Sequence, residues 1–348
     1  MKRLFLVLGL CCLSFVAIPL AAQPFGAFLV IPSGSGYIAI PHSSAFDFTT
    51  GFTFEAWVSI KDPSGGCSSI FGNQWTAAQW VGVCGTTLRS YDRGYLSGSP
   101  TQIFFDSGKI PVNDWTHIAV TFDGTSRKHY IDGELVGTRA ESGDLPNTTQ
   151  EIRIGSDVAF ANSPTGAIDE VRFWNVGLTR DQIRANINKR ITTAQPGLVA
   201  VYHLDANGND AIAGHNGTVT GTAAFLSAPV TASCTTSATS LCIGSSHYAV
   251  NVKWLTTDGT TGVGTVVPGF SADSGLFWFF GATNWELLVK LIDGCPLSAT
   301  KWFFSAATTD QHYEAIVTKV TTGETNRYFN YLGVASPSNN DTNAFTCP

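Results

Sequence analysis

The sequence contains few charged residues and no cluster of positive charge. Asp, Glu, Lys and Arg make up 13% of the 348 residues, and the formal net charge is −6. A surface that binds the phosphate backbone needs clustered Lys and Arg side chains, so nucleic acid is excluded as the expected partner. The 35 Gly residues, with many Ser, Thr and Asn, suit short strands joined by tight turns.

Several catalytic signatures are also absent from the sequence. It contains neither Gly-x-Ser-x-Gly, which presents a nucleophilic serine, nor His-Glu-x-x-His, which binds zinc in many proteases. No two cysteines form Cys-x-x-Cys, which argues against a zinc ribbon or a thioredoxin-like site. The seven His residues are scattered along the chain. These motifs therefore give no support to hydrolytic or redox chemistry.

Long apolar runs are lacking except at the N-terminus, which has the pattern of a secretory signal peptide. A positively charged start precedes an apolar run over residues 4–20, and small residues follow at Ala21-Ala22. The pattern predicts a signal peptide over residues 1–22 and export of a chain without a membrane span. A lipoprotein signal at Cys11 or Cys12 is disfavoured, because a bulky leucine precedes the first of them.

The cysteines that follow the signal peptide are even in number, which predicts disulfide bonds in an exported protein. We expect the first two to pair. The last four allow three connectivities, of which we favour the one that joins neighbours along the chain. The cysteines concerned are Cys67, Cys84, Cys234, Cys242, Cys295 and Cys347.

The length of the chain suits two domains. A stretch rich in Ser, Thr and Ala at residues 228–240 separates two β-rich halves and has the composition of a linker. We therefore expect one domain over residues 23–229 and another over residues 230–348. Alternating apolar runs with turn signals between them, such as Asp132-Gly133, predict β-hairpins and hence two β-sandwiches.

One helix is predicted in the first domain. Thr179 is a suitable N-cap, and Gln182 three residues later completes a capping box. Ile183 and Ile187 share a face of this helix. The helix is short, and we expect it to pack on an edge of the sandwich.

Six motifs of the first domain occur in the order found in the laminin-G-like, concanavalin A-type jelly roll. The sequence resembles this family over essentially the whole domain, and the resemblance implies an all-β jelly-roll sandwich. The fold hosts many functions and specifies none of them. The motifs occupy residues 51–58, 115–124, 130–137, 152–155, 166–175 and 197–205.

Two adjacent acidic residues, Asp169 and Glu170, lie within a predicted strand. Neighbouring side chains on a strand point to opposite faces. Asp169 is therefore expected to point inward with Val171 and Phe173, and Glu170 to form an exposed pair with Arg172. Glycoside hydrolases need two carboxyl groups facing one cleft, about 5–9 Å apart, which neighbours on a regular strand cannot provide. Hydrolases of the resembled fold carry Glu-x-Asp-x-x-Glu, and this sequence does not.

The resemblance also implies a calcium site. Some members of the family hold Ca²⁺ with this aspartate and with carbonyl oxygens of the N-terminal strand, a ligand set that suits the ion. The corresponding residues here are Asp169, Ser35 and Gly36, although the family often has an acidic turn where this chain has Ser33-Gly-Ser-Gly. Alternatively, Asp169 accepts backbone N–H bonds and fixes a strand end. A second acidic turn at residues 205–210 departs from a calcium loop, which favours ordinary turn chemistry.

Loop residues between positions 71 and 100 carry aromatic side chains among amides and hydroxyls. A sugar binds to such a surface through contact with an aromatic ring and through hydrogen bonds. The candidate ligand-binding residues are Trp75, Trp80, Tyr91 and Tyr95, with the Cys67–Cys84 bond expected at the base of the region. In the competing interpretation, the two tryptophans are part of the core.

The second domain resembles a repeated C-terminal module of secreted bacterial proteins. The resemblance rests on Leu241-Cys242, on residues 273–280 and 284–290, and on Asp293-Gly294 before Trp302-Phe303. It implies no activity. The aromatic runs at 277–280 and 302–304 are tempting as a sugar platform, but such runs are more often core.

The sequence as a whole predicts a secreted, non-enzymatic protein of two β-sandwich domains. Its first domain is expected to bind a glycan or an extracellular protein surface, with Ca²⁺ as a candidate cofactor. Two alternatives belong to other classes. One is a glycoside hydrolase of the concanavalin A-like fold with its acids on separate strands, and the other is a purely structural or adhesive surface protein.

Overall fold

The computed structural model of the protein describes residues 26–32, 35–61, 66–73, 78–92, 103–143, 145–158, 165–227, 230–269 and 271–347. Residues 1–22, predicted as a signal peptide, lie outside this part of the chain, as do Trp75 and Tyr95. Within it the protein is almost entirely β-structure, arranged in four sheets. No helix in the described ranges has the length and apolar character needed to cross a membrane.

Two sheets of eight and seven strands, formed by residues 27–227, make up the first sandwich. The eight-stranded sheet has the order β10-β9-β8-β3-β12-β1-β15 with β13 beside β12, and the seven-stranded sheet has the order β14-β2-β11-β4-β5-β6-β7. The strands are β1 (Ala27–Ile31), β2 (Gly36–Ile40), β3 (Phe52–Ile60), β4 (Cys67–Gly72), β5 (Trp80–Cys84), β6 (Thr87–Asp92), β7 (Ile103–Lys109), β8 (Thr116–Phe122), β9 (Ser126–Ile131), β10 (Glu134–Ala140), β11 (Ile152–Ile154), β12 (Gly166–Trp174), β13 (Leu198–Tyr202), β14 (Thr218–Gly221) and β15 (Ala224–Ser227).

The two sheets of the first sandwich face each other across one apolar core. Phe54 of β3 stacks on Phe71 of β4 with ring centroids 4.9 Å apart, and Phe173 of β12 packs against both rings. Apolar side chains alternate with outward-pointing ones along the strands, as the pleat requires. The all-β sandwich expected from the sequence is confirmed.

The predicted helix is confirmed as α1 (Arg180–Asn186). The backbone N–H of Gln182 donates to Thr179 Oγ1, and the backbone N–H of Thr179 donates to Gln182 Oε1, so the capping box is reciprocal. Ile183 and Ile187 are both buried. The helix lies over the outer face of the eight-stranded sheet rather than on its edge, because Ile187 packs with Trp57 on that face.

Residues 240–346 form a second sandwich of two five-stranded sheets. Its buried cluster includes Phe277, Phe279 and Phe303, so alternate members of the two aromatic runs are core, whereas Phe280 is exposed. Two other short helices are a 3₁₀ turn at Ser44–Phe46 and α2 (Cys295–Ser298). The strands are β16 (Ser240–Ile243), β17 (Tyr248–Leu255), β18 (Thr261–Val263), β19 (Thr265–Val266), β20 (Ser274–Trp278), β21 (Leu287–Ile292), β22 (Thr300–Ala307), β23 (His312–Lys319), β24 (Thr325–Asn330) and β25 (Asn339–Thr346).

Three disulfide bonds join neighbouring cysteines along the chain. Cys67 bonds to Cys84 across the β4–β5 hairpin. The other two follow the connectivity that the sequence favoured, and they are Cys234–Cys242 and Cys295–Cys347. Each bond joins two cysteines of the same domain, so none of the three links the two domains.

Non-covalent contacts hold the two sandwiches against each other. The Arg327 guanidinium of β24 lies 4.5 Å from the ring centroid of Trp57 in β3. The Glu134 carboxylate of β10 accepts a hydrogen bond of 2.8 Å from the backbone N–H of Leu332. The second sandwich therefore covers part of the outer face of the eight-stranded sheet, and the domain boundary at residue 229 stays a prediction.

Candidate functional site

The outer face of the seven-stranded sheet carries a row of aromatic side chains. Trp80 of β5 pairs with Tyr91 of β6, which pairs with Phe104 of β7, and directly opposed residues project from one face. The ring centroids of Trp80 and Tyr91 are 4.9 Å apart, and those of Tyr91 and Phe104 are 5.8 Å apart. Val81 and Val83 point into the core, so the row points away from it.

The next row of the same face carries an ion pair. Arg89 of β6 pairs with Asp106 of β7, and its guanidinium makes two hydrogen bonds to that carboxylate, each of 2.5 Å. These bonds raise the pKa of Arg89 above its usual range. The guanidinium also lies 4.5 Å from the ring centroid of Phe104 and 5.7 Å from that of Tyr91. The charged pair and the aromatic pair therefore form one connected surface.

The aromatic rings of this row differ in their access to solvent. Phe104 is 52% exposed, whereas Trp80 is 4% exposed and its Nε1–H donates to Ser69 Oγ at 2.7 Å. The Trp80 ring lies across Gly82, where an added Cβ would come within 2.4 Å of it. The described geometry gives Trp80 a supporting position beneath Tyr91 and gives Phe104 the exposed one.

Only two of the four candidate ligand-binding residues can be compared with the structure. Trp80 and Tyr91 are brought together, and the residues holding Trp75 and Tyr95 lie outside the described ranges. Sequence reasoning missed the three neighbours that complete the surface. A signal existed, since the i, i+2 spacing of Arg89 and Tyr91 on a predicted strand puts both on one face. The surface formed by Tyr91, Phe104, Arg89 and Asp106 is called the β6–β7 face below.

A β-bulge in β12 gives Asp169 the orientation opposite to the expected one. Glu170 has a φ of +47°, and the register with β3 shifts between Asp169 and Arg172. Asp169 pairs with Trp57, which belongs to a cluster on the outer face of the sheet. Asp169 therefore points away from the core, whereas Ile168, Val171 and Phe173 point into it. The expectation of an inward Asp169 was wrong because the bulge breaks the alternation of the strand.

The expected exposed pair of Glu170 and Arg172 is also wrong, because both side chains are buried. The segment that contains α1 covers them, and Arg172 donates to the carbonyl oxygens of Asn186 and Lys189. The guanidinium of Arg172 lies 3.4 Å from carboxylate oxygens of both Glu170 and Glu55. The arrangement is a buried charge network that ties the helix segment to the sheet.

Asp169 itself is fully buried, and neither of its carboxylate oxygens has a hydrogen-bond partner of good geometry. Burial raises its pKa well above the usual value, and the negative charges of Glu170 and Asp205 raise it further. A buried carboxylate is costly unless it is paired, hydrogen-bonded or bound to a metal. The two oxygens are therefore open to a cation ligand, and the backbone N–H of Glu170 lies close enough to lower the pKa of Asp169, as the alternative expected.

The other two proposed calcium ligands are not brought to Asp169. Gly36 begins β2 and pairs with Gly221 in the seven-stranded sheet, and Ser35 contacts Thr222 there. The register Leu29↔Ile168 instead places the first residues of β1 beside Asp169. Any oxygen from the N-terminal strand that approaches this carboxylate would therefore come from residues 27–28.

The acidic turn at residues 205–210 has the chemistry of a turn. The Asp210 carboxylate accepts four backbone N–H bonds of 3.0–3.1 Å, from Val201, Ile212, Ala213 and His215. Its oxygens are thus occupied by the backbone, as the favoured interpretation expected. Within the described residues, the one cluster of three metal-type side chains is Asp293 with Cys295 and Cys347, and its cysteines are joined in a disulfide.

The first domain is a two-sheet β-sandwich that carries a row of aromatic side chains on one outer face. Residues 32–184 match the Laminin_G_3 family, described as the concanavalin A-like lectin/glucanases superfamily. This part of the chain is a concanavalin A-like domain. Among curated proteins no match was found.

Several solved structures are similar to part of this chain. A Bacteroides ovatus protein described as a candidate carbohydrate-binding protein is 20% identical with a TM-score of 0.49, and the match covers 59% of this chain and 60% of that one. Domain 4 of an arabinanase from Geobacillus stearothermophilus, in complex with arabinotriose, is 21% identical with a TM-score of 0.36, covering 45% and 74%. The CBM40 module of a Ruminococcus gnavus sialidase, bound to sialyllactose, is 11% identical with a TM-score of 0.35, covering 43% and 92%. At these identities the likeness concerns the fold alone.

Proposed function

We propose that this is an exported, non-enzymatic protein that binds a glycan on the β6–β7 face of its first sandwich. The observation that carries the proposal is the exposed Phe104 beside the Arg89–Asp106 ion pair. Saccharides combine apolar C–H faces with hydroxyl groups, so their binding sites combine aromatic rings with fixed polar groups. The β6–β7 face offers both on neighbouring rows of one sheet.

The polar half of this face is held in place before any ligand binds. Asp106 and Arg89 orient each other through two hydrogen bonds, and Tyr91 Oη accepts a bond of 3.1 Å from Arg89 Nη1. The guanidinium can donate to ligand hydroxyls and the carboxylate can accept from them. Side chains that are already ordered lose little conformational freedom on binding, which favours recognition by this small surface.

A non-enzymatic role is supported by the burial of the adjacent acids. Asp169 and Glu170 are at most 1% exposed and lie beneath the α1 segment, so a saccharide cannot reach them. A hydrolase would need two other carboxyl groups about 5–9 Å apart on one cleft. The β6–β7 face contributes one, Asp106, and it is engaged by Arg89.

The proposal includes a Ca²⁺ ion at Asp169, with oxygens from the start of β1. The ion would lie beside Asp169, where Arg190 already pairs with the carboxylates of Glu170 and Asp205. Asp169 lies on the eight-stranded sheet, and the β6–β7 face lies on the other sheet. Calcium would therefore act on glycan binding through the stability of the sandwich and not through contact with the sugar.

Export is supported by the N-terminal pattern and by the disulfide bonds. Disulfides form and persist in oxidising compartments, and all six cysteines after the predicted signal peptide are paired. A test is to express the full chain with its leader and to sequence the N-terminus of the exported product. Export with cleavage after residue 22 is the expected result, and retention of the leader would contradict it.

Glycan binding is tested on an array of neutral and acidic glycans with the mature chain and its variants. Phe104→Ala and Arg89→Ala should each weaken binding about tenfold or more, since stacking and hydrogen bonds together supply about 1–3 kcal/mol. Matched controls are Leu226→Ala, an exposed apolar residue of the other sheet, and Arg180→Ala, an exposed arginine of α1. Equal binding by all four variants would refute this face as the site. Binding to an extracellular matrix protein and to none of the glycans would refute the glycan proposal.

The hydrolase alternative has its own measurement. Release of reducing sugar from the bound polysaccharide, abolished by a single Asp or Glu substitution, would establish it. We expect no release above the level of a heat-inactivated sample.

A further inference from the structure

Three loops at one end of the second sandwich border a cavity of about 470 Å³ that is open to solvent. One loop joins β20 to β21, another joins β22 to β23, and a third precedes β25. The cavity lies on the second sandwich, apart from the β6–β7 face. Its volume falls within the range of about 300–1,000 Å³ that is typical of small-molecule sites. The lining residues are Phe280, Asn284, Glu286, Ala307, Thr308, Thr309, Asp310, Gln311, Ala335 and Ser336.

Backbone hydrogen bonds fix these loops to one another. The backbone N–H of Thr308 donates to the carbonyl oxygen of Glu286 at 2.9 Å, and that of Ser336 donates to the carbonyl oxygen of Thr309 at 3.1 Å. The first bond ties the β22–β23 loop to the β20–β21 loop, and the second ties it to the loop before β25. The shape of the cavity is thus set by the fold and not by a ligand.

One wall of the cavity is an exposed aromatic ring. Phe280 is 51% exposed, although Phe279 beside it is buried in the core. The Phe280 ring is held by Trp254, with centroids 5.1 Å apart, and by Phe279, with centroids 6.1 Å apart. An apolar ring that is fixed from behind and open in front is suited to contact with a flat ligand face.

The floor of the cavity is polar and carries an ordered acid. Glu286 is buried, and its carboxylate accepts bonds from the backbone N–H of Phe279 at 2.6 Å and from the Asn284 side chain. Each carboxylate oxygen has two acceptor positions, so both oxygens can still accept from a ligand hydroxyl. The Asp310 carboxylate and the Gln311 amide, which contact each other, offer a further acceptor and donor.

The charges of the lining select the class of ligand. Two carboxyl groups line the cavity, and the lining residues within the described chain include no Lys or Arg. An anionic ligand would meet repulsion without a compensating cation. A ligand with one apolar face and several hydroxyl donors meets the Phe280 ring and acceptors instead. We propose that this cavity is a second binding site, which takes a neutral saccharide.

The test is affinity electrophoresis of the full chain in gels that contain neutral polysaccharides, namely amylopectin, galactomannan, xyloglucan and mixed-linkage β-glucan. Polygalacturonate is the anionic comparison. The background variant is Phe104→Ala, so that retardation through the β6–β7 face is removed. In that background Phe280→Ala should weaken binding to at least one neutral polysaccharide about tenfold or more. Gln311→Ala should weaken it less, because it removes one amide. Leu297→Ala, an exposed apolar residue of the same sandwich, is the matched control.

Two results would overturn the proposal. One is retardation by none of the four neutral polysaccharides, or by polygalacturonate alone. The other is retardation that stays unchanged in both Phe280→Ala and Gln311→Ala. Thermal unfolding of each variant separates loss of the site from loss of the fold, and Gln311→Ala keeps the test decisive if Phe280→Ala does not fold. Failure of the β6–β7 proposal is distinguishable, since it appears as an unchanged affinity in Phe104→Ala.

Discussion

The Arg184 guanidinium of α1 lies 3.5 Å from the ring centroid of Tyr331, which follows β24 of the second sandwich. The same arginine donates to the Glu134 carboxylate at 2.8 Å and to the carbonyl oxygen of Gly133 at 3.0 Å. One side chain of the first sandwich thus binds the β9–β10 turn and the second sandwich together. The helix that the capping box starts is therefore part of the contact between the two sandwiches.

Arg184→Ala should weaken this contact without unfolding either sandwich. A cation–π contact and a half-buried ion pair each contribute about 0.5–2 kcal/mol. We expect faster proteolytic cleavage between residues 230 and 239 and little change in the core of either sandwich. Limited proteolysis followed by mass spectrometry measures this, with Arg180→Ala as the control. Cleavage at the same rate in both variants would show that Arg184 does not hold the sandwiches together.

Asp132 should make the stability of the protein depend on pH near neutrality. Burial and, after it, the charge of Glu314 raise its pKa to about 7, against the opposing effects of His312 and Lys253 of the second sandwich. Because the folded pKa lies above the unfolded value of 3.8, the folded state binds the extra proton at intermediate pH. Stability from this group is present at low pH and is lost as the pH rises through about 7.

Asp132→Asn removes this titration and keeps the turn, since Asn tolerates the positive φ and can still accept the N–H of His117. The Tm of the wild type should fall relative to that of the variant between pH 5 and pH 8. Asp181→Asn, at an exposed position of α1, should run parallel to the wild type. Parallel curves for all three proteins would contradict the assignment.

Asp169→Asn should stabilise the metal-free protein and abolish its response to Ca²⁺. The substitution removes a buried carboxyl group whose oxygens have no good hydrogen-bond partner, so it should raise the Tm in EDTA. It should also abolish the rise in Tm that Ca²⁺ gives the wild type, because the ion raises the Tm only of a protein whose native state binds it. Differential scanning fluorimetry in EDTA and in Ca²⁺ measures both effects, with Asp181→Asn as the control. A wild type that does not respond to Ca²⁺ would exclude the site.

Arg172 should be one of the most sensitive positions in the first sandwich. Its replacement by methionine leaves Glu55 and Glu170 buried without their shared cation. Breaking a buried ion pair in this way costs about 3–5 kcal/mol. Urea denaturation should show a loss of that order for Arg172→Met and almost none for Arg180→Ala. A loss below about 1 kcal/mol would contradict this prediction, because it would show that Arg172 contributes no more than an exposed ion pair does.

Much of the fold could be predicted because its signals are local. Alternation gives the strands, Asp132-Gly133 gives a hairpin turn with both φ angles positive, and Thr179 with Gln182 gives the start of the helix. The bulge at Glu170 could not be predicted in this way. A positive φ at a glutamate has no sequence signature, and it is stabilised by Arg172 and by the helix segment that covers it.

The candidate site was predicted in part for a similar reason. Aromatic composition pointed to Trp80 and Tyr91, but the β7 residue that pairs with Tyr91, Phe104, depends on a register between strands that no local signal sets. The exposure of Phe280 was also missed, since a run of aromatic residues does not reveal which member lies past the end of its strand. The structure places Phe280 two residues beyond β20, at the rim of a cavity.

The Arg327–Trp57 contact has a consequence for how the protein would engage a long ligand. Trp57 is fully buried beneath the second sandwich and α1, so the sandwiches are docked and not tethered by a flexible linker. The distance between the β6–β7 face and the cavity beside Phe280 is then a fixed property of the fold. A polysaccharide that reaches both would make its second contact at a high effective concentration. The protein would therefore bind polysaccharide chains that are long enough to span that distance more tightly than shorter ones.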